Sequence, residues 1–141
     1  MSNNQSDEFR KLFGHFPTGI TVIGMNNDGQ LSGITANSVT SVSLDPMLLL
    51  VCIAKKAASH NKLKSAGYFS INFLSNKQQD VSQFFASSSN EENPMGDFKY
   101  RLGKNESPII NNVIAWVECS ITDWFPGGDH SIVLGEVTDM K

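Results

Sequence analysis

Turn chemistry punctuates this chain so often, and helical periodicity appears so briefly, that a parallel sheet is ruled out. Residues 19–25 alternate, Ile20, Val22 and Gly24 against Thr21, Ile23 and Met25, and Asn26-Asn27-Asp28-Gly29 supplies a tight turn before Leu31 resumes an extended pattern. This second arm continues through Ile34, Thr35 and Val39 to Val42, Leu44-Asp45-Pro46 breaks it, and residues 47–54 then run apolar. Strand character returns over 68–74, and two more strand patterns, 113–125 and 130–138, flank the turn composition Pro126-Gly127-Gly128-Asp129. Parallel pairs need long crossovers, usually helical, and there are too few helices here to supply them. The expectation is a mainly β fold, a six-stranded antiparallel barrel in hairpin order with two or three short helices, closed so that no edge is exposed.

The helices are short but signalled. Ser6 before Asp7 and Glu8, then Phe9, Leu12 and Phe13 at helical spacing and Gly14, reads as a capped amphipathic helix of about two turns covering one end of the barrel. Ser59 reads as the N-cap of a second helix that closes near Gly67. Ser75-Asn76-Lys77-Gln78 has capping-box form and puts Val81, Phe84 and Phe85 on one face of a third. From residue 87 to 107 the chain is polar, opens serine-rich and has no sustained period, so a long surface loop is expected.

Bulk properties narrow the function. The 141 residues suit one domain, and 40% hydrophobic with 18% charged residues is the composition of a packed, soluble protein. A net charge of -3 gives no basic field for nucleic acid. The longest apolar run, 47–54, is too short to span a bilayer, and the polar, acidic first nine residues do not look like a leader, so a cytoplasmic protein without membrane contact is expected. Cys52 and Cys119 sit in separate strand-like runs with no metal-ligand spacing, and neither His15 nor His60 has a ligand partner at i+3 or i+4. Free thiols and no metal are expected.

The stretch from Thr35 to Ser43 carries six hydroxyl or amide side chains in nine residues. On pattern alone this is either the wet face of an antiparallel sheet or a set of polar groups that need partners. Its surroundings bear on the choice. The order and spacing of Phe16-Pro17-Thr18-Gly19-Ile20-Thr21-Val22, the run from Gly33 through Thr35-Ala36-Asn37-Ser38-Val39 to Pro46, the run from Gly67 through Tyr68 to Leu74, and Gly128-Asp129-His130 with Gly135-Glu136-Val137 resemble the flavin reductase-like family. That family has the FMN-binding split barrel and includes the reductase components of two-component flavin monooxygenases.

The resemblance covers nearly the whole chain. It implies an NAD(P)H-dependent flavin reductase that passes hydride from NADH or NADPH to FMN or FAD, works as a homodimer with flavin at the subunit interface, and supplies a flavin-dependent monooxygenase. It implies that Thr35, Ala36, Asn37, Ser38 and Val39 line the flavin ring and ribityl chain. Cys52, Ile53, Ala54, Lys55, Lys56 and Ser59 would then approach its phosphate, as a helix start with a hydroxyl and nearby lysines suits an anion. His130 would orient the nicotinamide, with Phe85 a further substrate contact, although as one of a helical aromatic pair Phe85 also reads as core. No catalytic acid or base is required, because hydride transfer needs placement of nicotinamide against flavin.

Ala57, Ala58 and Ser59 depart from the family's commoner residues, so phosphate affinity is expected to be modest. The chain ends soon after Val137, where relatives continue through another strand, which raises the expectation of a truncated barrel with an open edge near 133–137. With no dinucleotide fingerprint, nothing chooses NADH over NADPH. Two rival readings stay open: a flavin carrier without reductase activity, and an oxidase of the related pyridoxamine-phosphate type, which 11 Lys plus Arg makes less attractive.

Overall fold

The structure, a computed structural model, describes residues 3–87 and 92–141. The helix α1 (Asn3–Phe13) is followed by β1 (Thr21–Asn27), β2 (Gln30–Ala36), β3 (Val39–Leu44), β4 (Met47–Ala54), α2 (Ala58–Ala66), β5 (Tyr68–Phe73), α3 (Gln79–Ala86), β6 (Tyr100–Leu102), β7 (Pro108–Ile110), β8 (Ala115–Gly127) and β9 (His130–Met140). Every ladder is antiparallel. Seven strands form one sheet in the order β2-β1-β5-β8-β9-β4-β3, and β6-β7 is a separate ribbon.

All seven sheet strands send side chains into one core. Ile23 and Met25 of β1, Leu49, Val51 and Ile53 of β4, Phe69 and Ile71 of β5, Cys119 of β8 and Val133 of β9 are buried together, with Ile34, Ala36 and Val39 packed against them and Leu63 of α2 among them. A sheet whose every strand faces one core is curled into a barrel. Each fully buried side chain of this size contributes roughly 1.5–3 kcal/mol. A second, smaller core lies outside the barrel, where Val81 and Phe85 of α3 meet Val22, Met95 and Ile110.

Several expectations need correction. The second arm is not continuous: it breaks at Asn37-Ser38 into β2 and β3, which are the two opposite edges of the sheet. The barrel is therefore split at this seam and not fully closed by ladders. Nor is the order a run of hairpins, because β1 pairs β5 and β9 inserts between β8 and β4. The open edge expected near 133–137 is absent, since β9 is paired on both sides: Val133 lies opposite Val51 and Trp124.

Helix α1 starts before Ser6, so that residue is inside the helix and not its cap. Phe9, Leu12 and Phe13 are at least half exposed, so α1 covers no barrel end within the chain. Part of the expected loop, 88–91, lies outside the described residues, as do residues 1–2. The rest of it carries β6 and the buried Met95, and it is fixed by a buried carboxylate: Glu118 accepts N–H bonds from Lys104 (3.1 Å) and Asn105 (2.9 Å). The hairpin turn falls where expected, with Asp28 (φ 51) and Gly29 (φ 93) both left-handed, as a type I′ turn requires. Among the described residues, no helix is long and apolar enough to cross a membrane.

Candidate functional site

The seam of the barrel gathers most of the residues singled out by sequence. Between β2 and β3 the chain crosses from one edge of the sheet to the other through Asn37 and Ser38. Ser38 is tied to β4 twice, its hydroxyl donating to the Cys52 carbonyl (3.0 Å) and its carbonyl accepting the Cys52 N–H (3.2 Å). Upstream, the Thr21 hydroxyl donates to the Ala36 carbonyl (2.8 Å) and the Thr35 hydroxyl to the Ser82 carbonyl of α3 (2.6 Å). The hydroxyls of Thr35 and Ser38 thus spend their protons holding the backbone, which leaves their lone pairs, the exposed Asn37 side chain and the crossover peptides to meet a ligand.

Along β4, residues alternate between the core and the outer face. Ile53 is 2% exposed and its side chain belongs to the core, which leaves its backbone as the part that faces the end of β4. Cys52 and Ala54 point outward and are half-buried, and burial raises the Cys52 thiol pKa, keeping it protonated at neutral pH. Val39 is half-buried and packs against the core.

After β4 the chain turns through the exposed Lys55 and Lys56 into α2. The helix is capped at Ala57, not Ser59, and no side chain caps it. The N–H groups of Ala58 and Ser59 in its first turn have no acceptor within the helix. Ser59 is itself buried, and its hydroxyl is without a hydrogen-bond partner. A helix start with free N–H groups, an orphaned hydroxyl and two lysines just before it is the donor set that a phosphate group fits.

The hairpin between β8 and β9 closes the other side. Ala54 lies opposite His130 in the β4–β9 ladder. The Lys55 N–H donates to the Asp129 carbonyl (2.9 Å) and its ammonium to the Gly128 carbonyl (2.7 Å). From α2, His60 Nε2 meets the Ser131 hydroxyl at 2.8 Å. His130 Nδ1 donates to the Asp129 carboxylate (2.7 Å), which leaves Nε2 as the free end of the ring. That hydrogen bond and the His130 charge hold the Asp129 carboxyl below its ordinary value, with Arg10 of α1 contributing.

The structure therefore brings together the crossover 36–39, the end of β4, Lys55, Lys56, the start of α2 and His130. It does not bring in Phe85, which is 4% exposed in the second core and packs on Phe84 and against Gly33. Sequence reasoning missed the ties from Lys55 and His60 to the β8–β9 hairpin. They join residues about 70 positions apart, and no local pattern announces them.

Comparison with known proteins finds matches over nearly the whole chain. A model described as "Flavin reductase like domain" matches residues 13–141. The chain is 48% identical over 133 residues to a probable flavin reductase of Rhizobium meliloti (strain 1021), covering 94% of this chain and 42% of that protein. The chain spans about half the length of the first curated relatives it matches (42%, 57% and 44%). Among solved structures it superposes on nitrilotriacetate monooxygenase component B from Mycobacterium thermoresistibile with a TM-score of 0.94 at 33% identity, covering 100% of this chain and 78% of that one. On the NADH:FAD oxidoreductase of Streptomyces globisporus C-1027 the TM-score is 0.92 at 36% identity, covering 100% and 84%.

Proposed function

Because the chain belongs to the flavin reductase-like domain family, we propose that it is an NADH-dependent flavin reductase acting on FAD or FMN. The observation that carries the reading is the uncapped start of α2 with its orphaned Ser59 hydroxyl, set beside the seam crossover and the His130 hairpin. FAD and NADH are favoured by the similar oxidoreductase from Streptomyces.

When bound, flavin supplies the hydride-accepting chemistry. The chain's own residues bind and orient. The first-turn N–H groups of α2, Ser59 and Lys56 would hold the phosphate. The peptides of Thr35, Ala36, Asn37, Ser38 and Val39 would line the ring and ribityl chain, and Cys52, Ile53 and Ala54 would lead toward the phosphate. His130, aimed by Asp129 and by the Lys55 tie, presents Nε2 to the nicotinamide nucleotide. No side chain has to move a proton, so the rate advantage is one of placement, which supports the absence of a catalytic acid or base from this scheme.

The same reading makes the chain one domain and a homodimer working in the cytoplasm with a flavin-dependent monooxygenase as acceptor of the reduced flavin. The monooxygenase is supported by the name of the similar Mycobacterium component. The dimer is supported by exposed apolar surface: Phe9, Leu12, Phe13 and Phe16 on and after α1, and Val42, Leu44 and Met47 along the β3–β4 edge.

Anaerobic mixing of the FAD- or FMN-supplemented protein with NADH, and separately NADPH, tests the proposal. Loss of oxidised-flavin absorbance well above a protein-free control, faster with NADH, is expected. Flavin binding without bleaching would overturn the reductase reading in favour of a carrier.

A further inference from the structure

One side chain of α2 grips both strands of the hairpin that presents His130. The Nε2 of His60 meets the Ser131 hydroxyl of β9 at 2.8 Å, and its ring stands edge-on to Trp124 of β8, with centroids 5.2 Å apart at 64°. The Lys64 ammonium lies 5.7 Å from the centre of the same Trp124 ring, so α2 holds that ring from two positions. Ser131 is buried, and side chains alternate along a strand, so His60 fixes β9 from the side opposite His130 and touches no reacting group.

His130 stands where such a grip matters. The β4–β9 ladder ends with Ala54 opposite His130, and past that pair the β4 side reaches the turn through Lys55. The hairpin tip therefore projects beyond the sheet. At its other end His60 belongs to the first turn of α2, where its own N–H donates to the Ala57 carbonyl at 3.0 Å. The residue before it, Ser59, supplies one of the first-turn N–H groups that the reductase reading gives to the flavin phosphate. Two ends of one site thus meet through a single imidazole.

Resting on that reading, we propose that His60 is a positioning residue, which sets His130 at a fixed distance from the phosphate end of the site at α2. Where the rate advantage is one of placement, a displacement of about 1 Å in the group that aims a substrate can cost about a hundredfold. The Ser131 hydroxyl both donates and accepts, so the bond forms with either tautomer of the ring, and a carboxamide reaching the same point would also make it.

Stopped-flow reduction of bound flavin at saturating NADH tests this. His60→Leu and, separately, Ser131→Ala should each slow reduction by about three- to tenfold, with flavin affinity changed by less than about threefold and thermal unfolding still cooperative. Their combination should cost no more than either alone, and His60→Gln should recover most of the rate. In a His130→Ala background, His60→Leu should change the rate by less than about twofold, because the group it places is already gone. A residue that only supports the fold would slow both backgrounds alike. The flavin-free protein gives a second readout: the His130 ring signals in NMR should shift in His60→Leu and return in His60→Gln. The proposal is overturned by unchanged reduction in His60→Leu, by equal slowing in the two backgrounds, or by His130 signals that do not move. If the unsubstituted protein bleaches no flavin, it is the reductase reading that fails, and the NMR shift alone then decides whether His60 places His130.

Discussion

Asp129 and His130 hold each other in an exposed turn, and the charge state of the carboxylate decides how firmly. Because the Asp129 carboxyl is held below its ordinary value of 3.8, the carboxylate that accepts from His130 is present above that range and is lost as the pH falls through the depressed value. NMR titration should show Asp129 with a midpoint below 3.8, and His130→Ala should bring it back up. In the same variant, flavin reduction should slow by about ten- to a hundredfold with flavin affinity nearly unchanged, as expected for a group that only orients the nicotinamide. Ser38→Ala should do the converse, weakening flavin binding by about three- to tenfold through the lost bond to Cys52, as fluorescence titration would show. The thiols separate as well. Burial, with Glu118 alongside, pushes Cys119 up to about 12, whereas Cys52, raised by burial alone, is partly accessible. An aromatic disulfide at pH 8 should label Cys52 first and reach Cys119 only on unfolding.

At the scale of elements, the third helix and the β1–β2 hairpin show how local signals translate. Asp28-Gly29 was legible because only a few residue types tolerate two successive left-handed positions. Ser75 and Gln78 do pair, the Gln78 side chain accepting the Ser75 N–H at 3.0 Å, but in the turn before α3: the N-cap is Gln78, and no side chain caps the helix. Ser59 was misleading: a hydroxyl beside a helix start looks the same in sequence whether it caps the helix or lies buried in its first turn. The helix α1 was legible as a helix, yet its apolar stripe said nothing of which surface it meets. The packing of α3 on β2 makes a sharper prediction. A Cβ on Gly33 would come within 2.7 Å of the Phe85 ring. Gly33→Ala should cost about 1–3 kcal/mol by urea unfolding, and Phe85→Leu in the same chain should recover part of it.

Over the whole molecule, the family resemblance carried what periodicity could not. Alternation found the strands but not their order, since the pairing of β9 with β4 joins residues about 80 apart with no local mark. The seam at Asn37-Ser38 hid inside one long extended pattern, because a break in pairing need not be a break in extension. The candidate site sits on these two features, and so the pattern alone left it open. The proposed homodimer belongs to this scale as well: Leu12→Glu with Phe13→Glu should yield monomer in sedimentation velocity and weaken flavin retention, since it charges a face that is apolar and at least half exposed in the single chain.

The central place of β9 has a consequence for synthesis. It is the strand that joins β2-β1-β5-β8 to β4-β3, and it follows all of them in chain order. While a nascent chain lacks it, the β3–β4 hairpin has no ladder to the rest of the sheet, and β4 and β8 each offer a bare edge. Ribosome-bound chains stalled before residue 130 should therefore remain open to protease and to chaperones, and the barrel should form in one late step once β9 leaves the exit tunnel.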